Sequence, residues 1–312
     1  MAKIDPQDQK QKRKLRKQEK NLMAKTKSIP FGTEQTEPGK YSVLMSVYNK
    51  EKAEHLREAM DSIWRQTTKA DEFILICDGP LTSELDTVIE EEERAHGEKL
   101  QVIRLKENGG LGNALNIGLK HCRNELIARM DSDDISRDDR CERQLKVFTK
   151  HPEFSIVSGT IEEFTEDTGK VTAKRMLPET QEEILAFARK RSPFNHPCVM
   201  YRKSAVEAAG GYRSFYLLED YYLWVRMLQT GCIGYNTPET LLWMRTGSEL
   251  YRRRAGWKYA KSEGKLFRYM AETGFISKTD CIRSTTTRAI AAMIPNQLRG
   301  ALMRRFFRAA AG

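Results

Sequence analysis

The stretch Leu126-Ile127-Ala128-Arg129-Met130-Asp131-Ser132-Asp133-Asp134 reads as a short apolar strand that delivers three carboxylates to the point where burial should stop. Acids spaced Asp-x-Asp at the mouth of a sheet suit a hard divalent cation that is shared with a substrate's phosphates. Asp-rich turns also arise for local reasons, because Asp caps helices and bonds its own backbone. The neighbouring chain has to decide between the two.

Upstream, Tyr41–Val47 is a nearly continuous apolar and β-branched run, as in a strand buried on both faces. A helix over 55–66 follows, then the strand Phe73–Cys77, closed by Asp78-Gly79-Pro80. A charged helix over 83–95, a strand over 101–105, the loop Asn108-Gly109-Gly110-Leu111-Gly112 and a helix over 113–121 lead into Leu126. Repeated β-α units predict an α/β fold with a Rossmann-like, mostly parallel sheet flanked by helices, since parallel strands need right-handed crossovers. In such sheets ligands bind beyond the carboxyl ends of strands, where Ser46, Tyr48, Asp78 and Asp131 all fall. That convergence favours a metal and nucleotide role for the acids. The glycine loop is neither Gly-x-Gly-x-x-Gly nor a Walker loop, which argues against a dinucleotide site or an ATPase. It either lines the crevice through a helix N-terminus or forms a tight turn that lets Asn113 cap the next helix.

Downstream, a helix over 140–150, a strand over 154–158, an alternating segment over 160–175 fit for an edge hairpin, and a helix over 182–191 precede Asn195-His196-Pro197. A His between Asn and Pro lies in a turn, and His196 is a candidate contact to substrate. Glu219 and Asp220 open an amphipathic helix and either stabilise its positive end or aim a carboxylate into the cleft. Tyr221, Tyr222 and Trp224 beside them offer surfaces on which sugar rings rest. Arg252-Arg253-Arg254 is either a solvated run or a diphosphate clamp.

At 312 residues and 39% hydrophobic, the chain can build a substantial core. No apolar run has bilayer length, and the Lys-rich start lacks the apolar centre of a signal peptide, which predicts a cytoplasmic protein. Six scattered cysteines with no Cys-x-x-Cys pair argue against a zinc site or a disulfide framework. The net charge of +10 is concentrated at the ends: residues 1–27 carry +7 and residues 281–312 carry +6, which leaves the body at −3. That distribution suits an anionic membrane surface and predicts no nucleic-acid partner. Residues 1–38 read as a basic disordered tail and linker. The stripe Ile294, Leu298, Leu302 and Phe306 among arginines has the character of an interfacial helix.

In combination these motifs resemble the family 2 glycosyltransferases of GT-A fold, in particular bacterial enzymes of O-antigen and exopolysaccharide synthesis, amylovoran-type glucosyl- or galactosyltransferases among them. The carrying stretches are Ser42–Asn49, Asp78-Gly79-Pro80, Asn108–Asn116, Ala128–Asp134, Asn195-His196-Pro197 and Glu219–Trp224. Cys77 stands where many relatives carry a further Asp. The resemblance implies a catalytic domain over 41–245, with a nucleotide-binding half (41–135) and an acceptor half (136–245), and a basic helical C-terminal extension over 246–312. It implies that Ser46, Tyr48, Asp78, Asn108, Gly110 and Asp131 contact the nucleotide. Asp131 and Asp133 would hold Mn²⁺ or Mg²⁺, with Asp134 as the alternative to Asp133, and Asp220 would be the catalytic base. His196, Glu219, Trp224 and Arg253 would touch donor or acceptor. The implied reaction inverts the sugar's anomeric centre, moving a hexose from a UDP-sugar to a polyprenyl-diphosphate-linked saccharide at the inner face of the cytoplasmic membrane. A sugar nucleotidyltransferase is the competing enzyme class, but Tyr48-Asn49-Lys50-Glu51 stands where its glycine-rich loop would follow the first strand.

Overall fold

A computed structural model describes residues 39–247 and 256–293. The first half follows the β-α alternation. Strand β1 (Ser42–Val47) leads to helix α1 (Ala53–Trp64), β2 (Glu72–Cys77), α2 (Ser83–His96), β3 (Leu100–Arg104), α3 (Leu111–His121) and β4 (Leu126–Asp131). Strands β1, β2 and β4 are buried along almost their whole length, so both faces of the sheet demand apolar side chains and the strands read as continuous runs. β1 lies between β2 and β4, and all of these pairings, including β2 with β3, are parallel. The register sets Ser46 opposite Asp131. Ser46, Tyr48, Asp78 and Asp131 therefore leave three adjacent strands at one edge.

The second half is mixed rather than parallel. After the short β5 (Ile135–Ser136) come α4 (Arg140–Lys150), β6 (Phe154–Phe164), β7 (Ala173–Arg175), α5 (Gln181–Ala188), β8 (Met200–Arg202), α6 (Lys203–Ala208), α7 (Glu219–Gln229) and β9 (Ile233–Arg245). β8 runs antiparallel between β4 and β6, and β6 pairs β9 in parallel, giving the order β3-β2-β1-β4-β8-β6-β9-β5 with β7 on β6. Strand β6 reaches Phe164, well past the expected end at 158, because its outer half pairs with both β7 and β9. Two apolar cores fill the two faces. One packs α1, α2 and α4 against the sheet, and the other packs α3, α5, α6 and α7.

A third cluster joins α7 to α8 (Trp257–Glu272) through Val225, Leu266, Phe267 and Met270, and α9 (Lys278–Met293) completes the described chain. Five of the six cysteines are buried and all are free. The N-terminal tail, Arg252–Arg254 and the stripe beyond Met293 lie outside the described residues. Among the described residues no helix is long and apolar enough to cross a membrane.

Candidate active site

The acid-bearing turn is built from β4 outward. Residues two apart on a strand point the same way, so Arg129 and Asp131 share a face. The Arg129 side chain is 1% exposed, and its guanidinium forks the Asp131 carboxylate: Nη1 donates to Oδ2 at 2.7 Å and Nη2 donates to Oδ1. The two acids that follow are held from the end of β9. The Arg245 amide donates to Asp134 Oδ1 at 2.8 Å, and its Nε donates to the Asp133 carbonyl at 3.0 Å. The same guanidinium lies 4.6 Å from the Phe164 ring centroid and pairs with Glu58.

Ligand atoms of Asp131, Asp133 and Asp134 lie within 4.8 Å of one another. An all-carboxylate set of this size fits a hard cation such as Mg²⁺ or Mn²⁺. Asp134 is buried and committed to the Arg245 amide, whereas Asp133 is half-buried, so Asp133 is the freer of the two alternatives. Burial, then the charges of Asp131 and Glu51, push the Asp133 carboxyl up to about 7. Burial and the charges of Asp133 and Asp131 drive Asp134 well above the usual carboxylate range. Such crowding of like charge is what a divalent ion relieves.

Glu51, which follows β1, is a contributor that the motifs did not reveal. It accepts a hydrogen bond from Ser132 Oγ at 3.3 Å, and its charge acts on Asp133.

Asp78 follows β2 and is 4% exposed. Its carboxylate accepts bonds from the Gly109 amide at 2.8 Å and the Gly110 amide at 3.0 Å, while Asn108 Nδ2 donates to its carbonyl at 3.1 Å. Gly79 makes this approach feasible, since it adopts a φ of +89° and a Cβ there would stand 2.7 Å from the Asn108 nitrogen. Asp78 thus shapes the glycine loop from beneath. Helix α3 begins at Leu111, with Gly110 at its N-cap at φ +83°. Asn113 is therefore not the cap. Asn108 is exposed and Gly110 half-exposed at the rim, with Ser46 and Tyr48 half-buried beside β2.

The other wall comes from α7. Glu219 and Asp220 occupy its first turn and are half-buried, after Leu217 in the left-handed conformation at φ +56°. A Cβ on Gly112 would contact the Cβ atoms of both Tyr212 and Glu219, so the start of α3 meets the start of α7. Burial raises the Tyr212 phenol far above its ordinary value, against the Arg129 charge and a hydrogen bond with Tyr201 that lower it and with smaller additions from the charges of Asp220 and Asp131.

Two expected substrate contacts belong to the core instead. Trp224 is 0% exposed and meets Phe194 edge-on at 5.7 Å, so neither ring face is open to a sugar. His196 is 9% exposed, and its Nε2 lies 3.0 Å from the Tyr212 hydroxyl. Burial and the Arg129 charge hold its imidazole well below the ordinary range, hence neutral. Tyr221 is likewise buried, donating to the Ala188 carbonyl at 2.6 Å. Arg253 lies outside the described residues.

A parallel β-α half carrying an Asp-x-Asp turn, joined to a mixed half that presents a helix-borne acid, defines a nucleotide-sugar transferase architecture of GT-A type. The chain belongs to Glycosyl transferase family 2, whose sequence profile matches residues 42–210. It is 42% identical to the amylovoran biosynthesis glycosyltransferase AmsE of Erwinia amylovora, over 77% of this chain and 90% of that one. It is 39% identical to an Escherichia coli UDP-Gal:α-D-GlcNAc-diphosphoundecaprenol β-1,3-galactosyltransferase, over 86% of this chain and 97% of the relative. Among solved structures, the mannosyltransferase PcManGT of Pyrobaculum calidifontis, in complex with GDP-Man and Mn²⁺, superposes with a TM-score of 0.56 at 16% identity, covering 86% of this chain and 81% of that one. TarS 1–349 of S. aureus, in complex with UDP-GlcNAc, gives 0.54 at 16% identity, covering 86% and 71%. Both share the fold.

Proposed function

We propose that this chain is a metal-dependent, inverting hexosyltransferase that moves glucose or galactose from a UDP-sugar to a polyprenyl-diphosphate-linked saccharide in O-antigen or exopolysaccharide synthesis. The observation that carries the reading is the gathering of Asp131, Asp133 and Asp134 at one strand exit, together with the start of α7, which bears Asp220, packed against the start of α3. The similarity to the amylovoran and undecaprenol-linked relatives supports the acceptor class.

Mg²⁺ or Mn²⁺ held by Asp133 and Asp131 would supply Lewis-acid stabilisation of the departing diphosphate's charge. Asp220 accepts the proton of the acceptor hydroxyl as that oxygen attacks the anomeric carbon from the face opposite the leaving group. One displacement of this kind inverts the centre. Ser46 and Tyr48 line the base and ribose side, and Asp78 serves it by holding Asn108, Gly109 and Gly110 in shape. Glu219, next to Asp220, contacts the acceptor.

Work at a membrane surface is part of the same reading. Four of the five exposed large apolar side chains among the described residues, Tyr216, Trp257, Ile282 and Ile290, lie on or against α8 and α9. Exposed Lys258, Lys261, Lys265 and Arg268 recur at helical spacing along α8. Cations interleaved with apolar side chains suit anionic headgroups at the inner face of the cytoplasmic membrane.

The test is transfer from UDP-, dTDP- and GDP-sugars to a polyprenyl-diphosphate-linked sugar, with and without EDTA. Turnover that survives EDTA refutes the metal role. Asp220→Asn should lower kcat by roughly 10²–10⁴, the usual range for loss of a general base, and undiminished transfer refutes that assignment.

A further inference from the structure

The Asn195-His196-Pro197 turn is buried and fastened from several sides. The Asn195 amide donates to Ser158 Oγ at 3.1 Å, and its Nδ2 donates to the Gly159 carbonyl at 2.8 Å. Arg140, fully buried, donates through Nη1 to the Pro197 carbonyl at 3.5 Å and through Nη2 to the carbonyls of Arg129 at 2.6 Å and Val199 at 3.2 Å. The turn is thereby locked to β4 at the residue that forks Asp131.

The imidazole then reaches toward the other wall. It bonds Tyr212 on one side and meets the Trp224 ring edge-on at 5.8 Å, and Trp224 stands one helical turn after Asp220 on α7. Tyr212 is itself immobilised through its main chain, because its amide donates to Asn116 Oδ1 at 2.8 Å and its carbonyl accepts from Asn116 Nδ2 at 2.6 Å.

A second feature marks the same place. Arg129 Nε and Trp224 Nε1 are buried without a hydrogen-bond partner, and the Tyr201 and Trp224 rings lie 6.4 Å apart. Each unpartnered buried polar group opposes folding. Folding alone would favour apolar side chains at these positions, so the cluster serves something besides stability.

We propose that His196 and Tyr212 are positioning residues that fix the separation between Asp131 on the donor side and Asp220 on the acceptor side. The proposal rests on the transferase reading above. Neither residue touches substrate; Tyr212 shares an apolar cluster with Leu223 and Trp224 of α7, and His196 ties its hydroxyl to the β4 frame. A neutral imidazole meets the need, because a cation would repel Arg129 and an apolar residue would leave the phenol unpartnered.

The experiment is a double-mutant cycle on the full chain, Tyr212→Phe with Asp220→Asn, read as kcat for transfer beside calorimetric affinity for UDP with Mn²⁺. Tyr212→Phe should lower kcat about tenfold, since small misplacements of a reacting group have large rate costs, and leave UDP affinity within about twofold. In the Asp220→Asn background the same change should cost less than about twofold, because residues acting through one group are non-additive. Equal losses in both backgrounds, or a loss shared by UDP affinity, overturn the proposal. His196→Leu must give the same pattern and keeps the test decisive if Tyr212→Phe does not fold. Absent transfer by the unaltered chain, or undiminished transfer by Asp220→Asn, refutes the transferase reading and takes this proposal with it; additive losses with Asp220→Asn strongly impaired refute this proposal alone.

Discussion

Mn²⁺ binding should strengthen with pH and level off near neutrality, because a proton and a cation compete for Asp133. Its carboxyl is raised from 3.8 to about 7 in the metal-free protein, by burial first and then by Asp131 and Glu51. If one proton must leave, the apparent dissociation constant is multiplied by 1 + 10^(7 − pH), roughly elevenfold at pH 6 and roughly 1.1-fold at pH 8. Affinity should therefore rise about tenfold across that interval. The assay is the electron paramagnetic resonance signal of free Mn²⁺ titrated with protein and UDP-glucose, whose phosphates stay ionised throughout. Asp133→Asn should weaken binding and flatten the profile. An affinity independent of pH between 6 and 8 in the unaltered chain would refute the reasoning. The same shift has a stability signature of defined sign. The folded state holds a proton that the unfolded chain releases between about pH 4 and 7, so metal-free stability should fall as pH rises through that range.

Trp224→Phe should lower stability in urea denaturation while leaving the KM for donor and acceptor unchanged; a raised KM without destabilisation would restore Trp224 as a sugar platform. Asp78→Asn removes a charge-assisted acceptor from the Gly109 and Gly110 amides, bonds worth about 1.5–3 kcal/mol, and should raise the UDP dissociation constant about tenfold or more, measured by calorimetry. Replacing Lys258, Lys261, Lys265 and Arg268 with Gln should weaken sedimentation with phosphatidylserine vesicles by about 1 kcal/mol per residue, and unchanged sedimentation would remove α8 from the membrane face.

Much of the parallel half over residues 41–135 is legible because buried parallel strands announce themselves as apolar runs and their ends are marked by Asn, Asp and Gly. The start of α3 is less so: Gly110 caps the helix through a φ that only glycine adopts cheaply, and a Cβ on Gly109 would meet the Asn113 side chain at 2.4 Å. Trp224 illustrates an ambiguity that spacing cannot resolve. An aromatic residue one turn after Asp220 suits a cleft or a core equally, and the choice falls to Phe194, His196 and Tyr201, which arrive from other parts of the chain. Arg129 carried a readable signal, an arginine inside a buried strand two residues before an acid on the same face. Arg245 and Glu51 carried none, since their distances to the acids are set by β9 and by the β1 exit rather than by any local pattern. The mixed second half was hidden for a similar reason: a three-residue strand such as β8 shows neither direction nor neighbour in its composition.

The central claim, a single displacement with Asp220 opposite a donor anchored at the β4 acids, is tested most directly by the anomeric configuration of the product. Proton NMR of the saccharide formed from an α-linked UDP-hexose should show a β linkage. An α linkage would contradict the account.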